Sequence, residues 1–170
     1  MTVPARPAGR APTDPRLPRA QRIAKRQDRL IELAKEVAPL ASKDLDDHDV
    51  RTILAAIVRR WSDTLTVQFK TEAVWSGAQS DLEHVVPVRA IVDRMVKKPR
   101  GVERVLREAV VVARVTPDEH TTLGPLRGHA EVYARMKVCR VDELADLGWQ
   151  RYRDRDITVR DVDGRTPWRR

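Results

Sequence analysis

The 170-residue chain has a single cysteine, Cys139, and no asparagine. One thiol excludes an internal disulfide and any zinc cage built from cysteines, a usage that fits a reducing compartment. No apolar run reaches the ~18–20 residues of a membrane span, and the opening stretch MTVPARPAGR lacks the apolar stretch of a secretory signal. The expectation is a soluble, cytoplasmic protein with no membrane and no disulfide-linked partner. There is no internal repeat and no Gly-rich phosphate loop, which removes the commonest nucleotide-binding fingerprints.

What the chain does have is charge, unevenly placed. Its formal net charge is +8; residues 1–29 hold eight basic against two acidic side chains, and residues 149–170 hold seven against four, so the remaining 119 residues come to −1. Cationic ends on a near-neutral body suit the neutralisation of phosphates by counterion release, without sequence reading. DNA is the expected partner, with Arg16, Arg19, Arg22, Lys25, Arg26, Arg151 and Arg153 as the candidate contacts. A solvated arm that aids solubility has the same composition.

The hydropathy pattern predicts an α+β protein, mostly helical. Residues 1–19 carry five prolines and little that can be buried, so they read as a disordered basic arm. Residues 20–158 read as one domain, and 159–170 as a flexible basic tail. Ile23, Leu30, Ala34 and Val37 recur at helical spacing, and Val50, Ile53, Leu54, Ile57, Val58 and Trp61 form a second stripe that Leu65 and Phe69 continue. Asp46 or Asp47 can cap this second helix. Leu82–Val86 is a short β-branched run ending at Pro87, which opens a helix through Ile91, Val92 and Met95. Val102, Val105, Leu106 and Ala109 mark another helix, and AVVVARV, from Ala109, a buried strand. In TPDEH, Thr116 is a cap, Pro117 occupies the first helical position and Glu119 stands where a capping box needs it, so His120 is launched from the first turn of a brief helix ended by Gly124. A last helix begins near Asp142.

Two histidines thus sit at defined places, His84 on the first strand and His120 just after the second. Neutral imidazole accepts a proton near neutral pH and also ligates divalent metals, while Glu83 beside His84 supplies a hard oxygen. Such a set, holding one metal and one activated water, can attack a phosphodiester. Because neighbouring strand residues point to opposite faces, Glu83 and His84 can share a cation only where a bulge or the strand's end turns them together. Each residue also has a plain structural reading: His84 bridging secondary structure, His120 belonging to an ordinary capped helix, and the acids around His48 starting a helix.

The segments LEHVVP and VTPDEHTTL resemble the HNH nucleases, the ββα-metal or His-Me finger class, over about residues 82–123. The resemblance implies a small two-stranded ββα-metal-like element and a metal-dependent endonuclease hydrolysing DNA phosphodiesters. By position His84 would be the catalytic base, and Glu83 and His120 the metal ligands for Mg²⁺ or Mn²⁺. The family's middle asparagine has no counterpart here. The alternative is a non-catalytic nucleic-acid-binding protein, phage-related or regulatory, on a degenerate form of the same fold.

Overall fold

The computed structural model describes residues 17–42, 47–124 and 129–168. Residues 1–16, including Arg16, and the alternative cap Asp46 lie outside that set. The molecule is a mostly helical α+β fold with one small four-stranded mixed sheet.

Helix α1 (Arg19–Val37) follows the predicted period and buries Ile31, Ala34 and Val37. Helix α2 (Asp47–Ser62) buries Val50, Leu54, Ile57, Val58 and Trp61, with Asp47 and Asp49 in its first turn and Arg59 and Arg60 in its last, all favourably placed on the helix dipole. Ile53, expected in the buried stripe, is 45% exposed. The expected continuation through Leu65 and Phe69 does not occur. The helix closes with a tightened turn, in which the Thr64 and Leu65 amides reach back three residues to the Trp61 and Ser62 carbonyls at 2.8 and 3.0 Å, and Ser62 Oγ and Thr64 Oγ1 add bonds to the Arg59 and Trp61 carbonyls at 2.7 and 2.6 Å. Phe69 instead begins strand β1 (Phe69–Thr71), followed by the single turn α3 (Glu72–Trp75) and by Gly77 at φ 99°, which reverses the chain.

Strand β2 (Asp81–His84) leads through Pro87 into α4 (Val88–Lys97), then α5 (Val102–Ala109) and strand β3 (Val112–Val115). β2 and β3 pair antiparallel, with Glu83 opposite Ala113 and His84 opposite Val112. Helix α6 (Pro117–Leu123) follows directly, so the expected two-strand-and-helix unit is present, with α4 and α5 inserted between its strands.

Two more strands extend it. β1 lies parallel to β3, and β4 (Val159–Arg160) pairs antiparallel with β1, giving the order β2-β3-β1-β4. The stretch from residue 159, expected to be a loose tail, therefore supplies an edge strand, and Trp168 packs on Trp149 with ring centroids 6.1 Å apart. Helix α7 (Ala130–Met136) was not foreseen, while α8 (Leu144–Arg153) fills the expected last helix.

Burial divides into two cores. The larger joins α1, α2, α4, α5 and α7 around Leu54, Ile91, Met95, Leu106 and Met136. The smaller lies between one sheet face and α6 and α8, and contains Val85, Ala113, Val115, Leu123, Trp149 and Tyr152.

Candidate functional site

The site forms at the edge of the smaller core, where α6 and α8 meet β2. Its local cause is the capping box read from the sequence: Thr116 Oγ1 accepts the Glu119 amide at 3.2 Å, and Glu119 Oε2 accepts the Thr116 amide at 2.7 Å. The same Glu119 oxygen accepts Thr71 Oγ1 at 2.7 Å, which fastens the start of α6 to β1. His120, the next residue, is thereby aimed along the sheet edge. Its Nδ1 lies 3.1 Å from Glu83 Oε2.

Glu83 is held on its other side. Arg151 donates through Nη2 to Glu83 Oε1 at 3.2 Å, and the same guanidinium reaches the carbonyls of His84, Val85 and Leu123. The approach of α8 that makes this possible depends on Gly148, one turn before Arg151. A methyl group there would meet the Val85 carbonyl oxygen at 2.7 Å, so only glycine lets α8 lie this close to β2. Burial pushes the Glu83 carboxyl above the usual range, against the opposing pull of Arg151 and His120.

Exposure is graded across the trio. The Arg151 side chain is 4% exposed, Glu83 11% and His120 46%. A buried carboxylate therefore orients a half-open imidazole from behind. The negative charge 3.1 Å from Nδ1 favours a proton on that nitrogen and leaves Nε2 to accept one, the relation of carboxylate to histidine used in acid–base catalysis by an imidazole. No partner for Nε2 occurs among the described residues. Tyr152 Oη and Arg151 Nε are also buried without partners, and burial pushes the Tyr152 phenol up.

The other expected members fall elsewhere. His84 projects to the opposite sheet face, as strand alternation requires, because β2 contains no bulge to turn it beside Glu83. Its Nε2 lies 3.1 Å from Ser62 Oγ. Since the Ser62 proton is spent on the Arg59 carbonyl, His84 donates and Ser62 accepts. Burial, reinforced by Arg59 and opposed by Asp63, pushes the His84 imidazole down to about 4. So low a basicity is poorly matched to proton transfer at neutral pH, and the two imidazoles do not converge.

A cation shared by Glu83 and His120 does not fit this arrangement either. Both carboxylate oxygens and Nδ1 already serve the trio, and the Arg151 guanidinium supplies the positive charge beside the carboxylate. No group of three or more metal-ligating side chains occurs among the described residues.

Of the expected nucleic-acid contacts, Arg19, Arg22, Lys25 and Arg26 are exposed along the first half of α1, and Arg26 reaches Asp63 at 3.4 Å. Arg153 is exposed beside Trp168. Arg151, expected to grip a backbone, is buried in the trio instead; its position in the last turn of a helix that buries Trp149 and Tyr152 turns it inward. Charge alone did not distinguish these two arginines. The period of α8 is the signal that separates them, since Arg151 lies in phase with Leu144, Leu147 and Gly148.

No described helix is long and apolar enough to cross a membrane. No protein-family model, no curated protein and no solved structure matches the chain.

Proposed function

We propose that the protein hydrolyses DNA phosphodiesters with His120 as general base and Glu83 as the group that orients it. The observation carrying this reading is the 3.1 Å contact between Glu83 Oε2 and His120 Nδ1 on an imidazole that keeps an open side. His120 Nε2 takes a proton from water as its oxygen attacks phosphorus; the bond to the leaving oxygen then breaks, and that oxygen receives the proton from the imidazolium. Glu83 stabilises the imidazolium in between, and the buried Arg151 holds Glu83 in place without touching substrate. The choice of a polyanion rests on the four exposed cations from Arg19 to Arg26.

Plasmid nicking, measured with Mg²⁺ and again in EDTA, tests the assignment. The expected outcome is cleavage that survives EDTA, falls about 100-fold or more in His120→Gln, as befits a lost general base, and persists in His84→Gln. Equal cleavage by wild type and His120→Gln removes the role of His120. Abolition by EDTA overturns the cation-free mechanism and restores the metal implied by the HNH resemblance.

A second reading, a binder that does not cleave, is favoured by the way Arg151 makes Glu83 part of a complete buried ion pair. It predicts DNA binding that is unchanged in His120→Gln, with no nicking in either protein.

A further inference from the structure

A cleft of about 680 Å³ opens between α2 and α4, beside the end of α7. That volume falls within the range of ordinary small-ligand sites. Its charges are asymmetrically paired. Arg51 consumes both acids of the cleft, donating through Nε to Asp47 at 2.7 Å and through Nη1 to Asp93. The second oxygen of Asp93 accepts the Tyr133 hydroxyl at 2.8 Å. Three further cations, Arg59, Arg89 and Lys137, line the same cleft, and none of them has a carboxylate partner among the described residues. Arg89 and Lys137 flank the Tyr133 ring at 6.0 and 5.1 Å from its centroid, an arrangement that holds long cationic side chains over a fixed platform. Ala55, Val88 and Val92 give the cleft an apolar component beside the cations.

We propose that this cleft binds a phosphate-bearing ligand of nucleotide size, with Arg59, Arg89 and Lys137 receiving the phosphate and the apolar wall receiving the sugar or base. With Arg51 shared between Asp47 and Asp93, the cleft holds four cations against two acids and is a net positive concavity, and phosphate is the anion that arginine forks and a lysine together match best. The ligand is either a free nucleotide or one nucleotide of a strand. The assignment is independent of His120, which belongs to the sheet edge and does not line the cleft.

Amide chemical shifts are followed while the full chain is titrated with inorganic phosphate, with AMP and with a short single-stranded oligodeoxynucleotide. Saturable shifts are expected at Thr52, Ala55, Arg89 and Asp93, with affinity at least tenfold weaker in the double variant Arg89→Gln, Lys137→Gln. Lys98→Gln, an exposed change outside the cleft, and His120→Gln should both bind as wild type does. AMP matching the oligonucleotide in affinity assigns the cleft to free nucleotides, whereas an oligonucleotide preference of tenfold or more assigns it to a strand. The proposal is overturned if no probe saturates those amides, or if Lys98→Gln weakens binding as much as the double variant does. Failure of His120→Gln to cleave, with cleft binding intact, would support two separate sites.

Discussion

His84 shows how one side chain's surroundings set its chemistry. It is neutral because burial penalises its charged form, and its bond to Ser62 gives the neutral ring a fixed donor role. A folded-state pKa of about 4, below the unfolded value of 6.5, means that the unfolded chain binds the proton more readily. The associated stability is therefore complete above pH 6.5 and is lost as pH falls towards 4. It amounts to roughly 3 kcal/mol across that window. Urea denaturation at pH 7.5 and pH 4 should show this loss in the wild type and a smaller one in His84→Gln, whose amide can still donate to Ser62. An identical pH dependence in the two proteins would remove His84 as the cause. Glu83 calls for a gentler substitution than alanine, because deleting one partner of a buried pair leaves Arg151 uncompensated at a cost of about 3–5 kcal/mol. His120 is the safer probe of chemistry, since its exposure limits the structural penalty.

Among the elements, α8 carries the tightest steric condition. Gly148→Ala would push a methyl group against the Val85 backbone, and overpacking of this kind costs about 1–3 kcal/mol. The expected result is a thermal midpoint lower by a few degrees, at about 2–4 °C per kcal/mol for a chain of this size, together with rupture of the bond from Arg151 to Glu83. A variant as stable as wild type would show that α8 shifts freely. Thr116→Ala, which removes one half of the capping box, should cost about 1 kcal/mol by the same denaturation measurement.

The elements also mark what could be read in advance. The stripes of α1, α2 and α5, the β2 and β3 strands and the capped start of α6 were legible because each is written in local periodicity or cap chemistry. β1 and β4 were not: they span three and two residues, too short for a period, and exist only because each finds a distant partner. Glu83 and His120 were expected with His84 around one cation; the fold sets the first two in direct contact and turns His84 away to Ser62. The trio's third member, Arg151, was misjudged because arginine there looks, in composition alone, like any surface cation. Nor could composition reveal that His84 faces Ser62, since that depends on where α2 stops.

At the scale of the whole molecule, the cations of α1 form an exposed flank on the large core, separate in sequence from the trio at the sheet edge. If that flank holds DNA, affinity should fall steeply with salt. Replacing Arg19, Arg22 and Lys25 together by glutamine should flatten the dependence of log K on log salt by about 0.9 for each duplex phosphate that is no longer neutralised. Fluorescence anisotropy across a salt series measures this slope, and an unchanged slope would move the DNA to another surface.

The placement of β4 also bears on the order in which the molecule assembles. Thr71 pairs with Val159 although 88 positions separate them, and β1 reaches β3 only after a long parallel crossover. Contacts so remote along the chain form slowly, because the closure entropy of the intervening segment has to be met before the pairing rewards it. During synthesis, α1 and α2 can meet early, while β1 keeps an unmatched edge until residues 159 and 160 have left the ribosome. A nascent chain halted before that point would display that edge to its neighbours, so premature termination in this region should yield aggregates rather than a slightly shortened native fold.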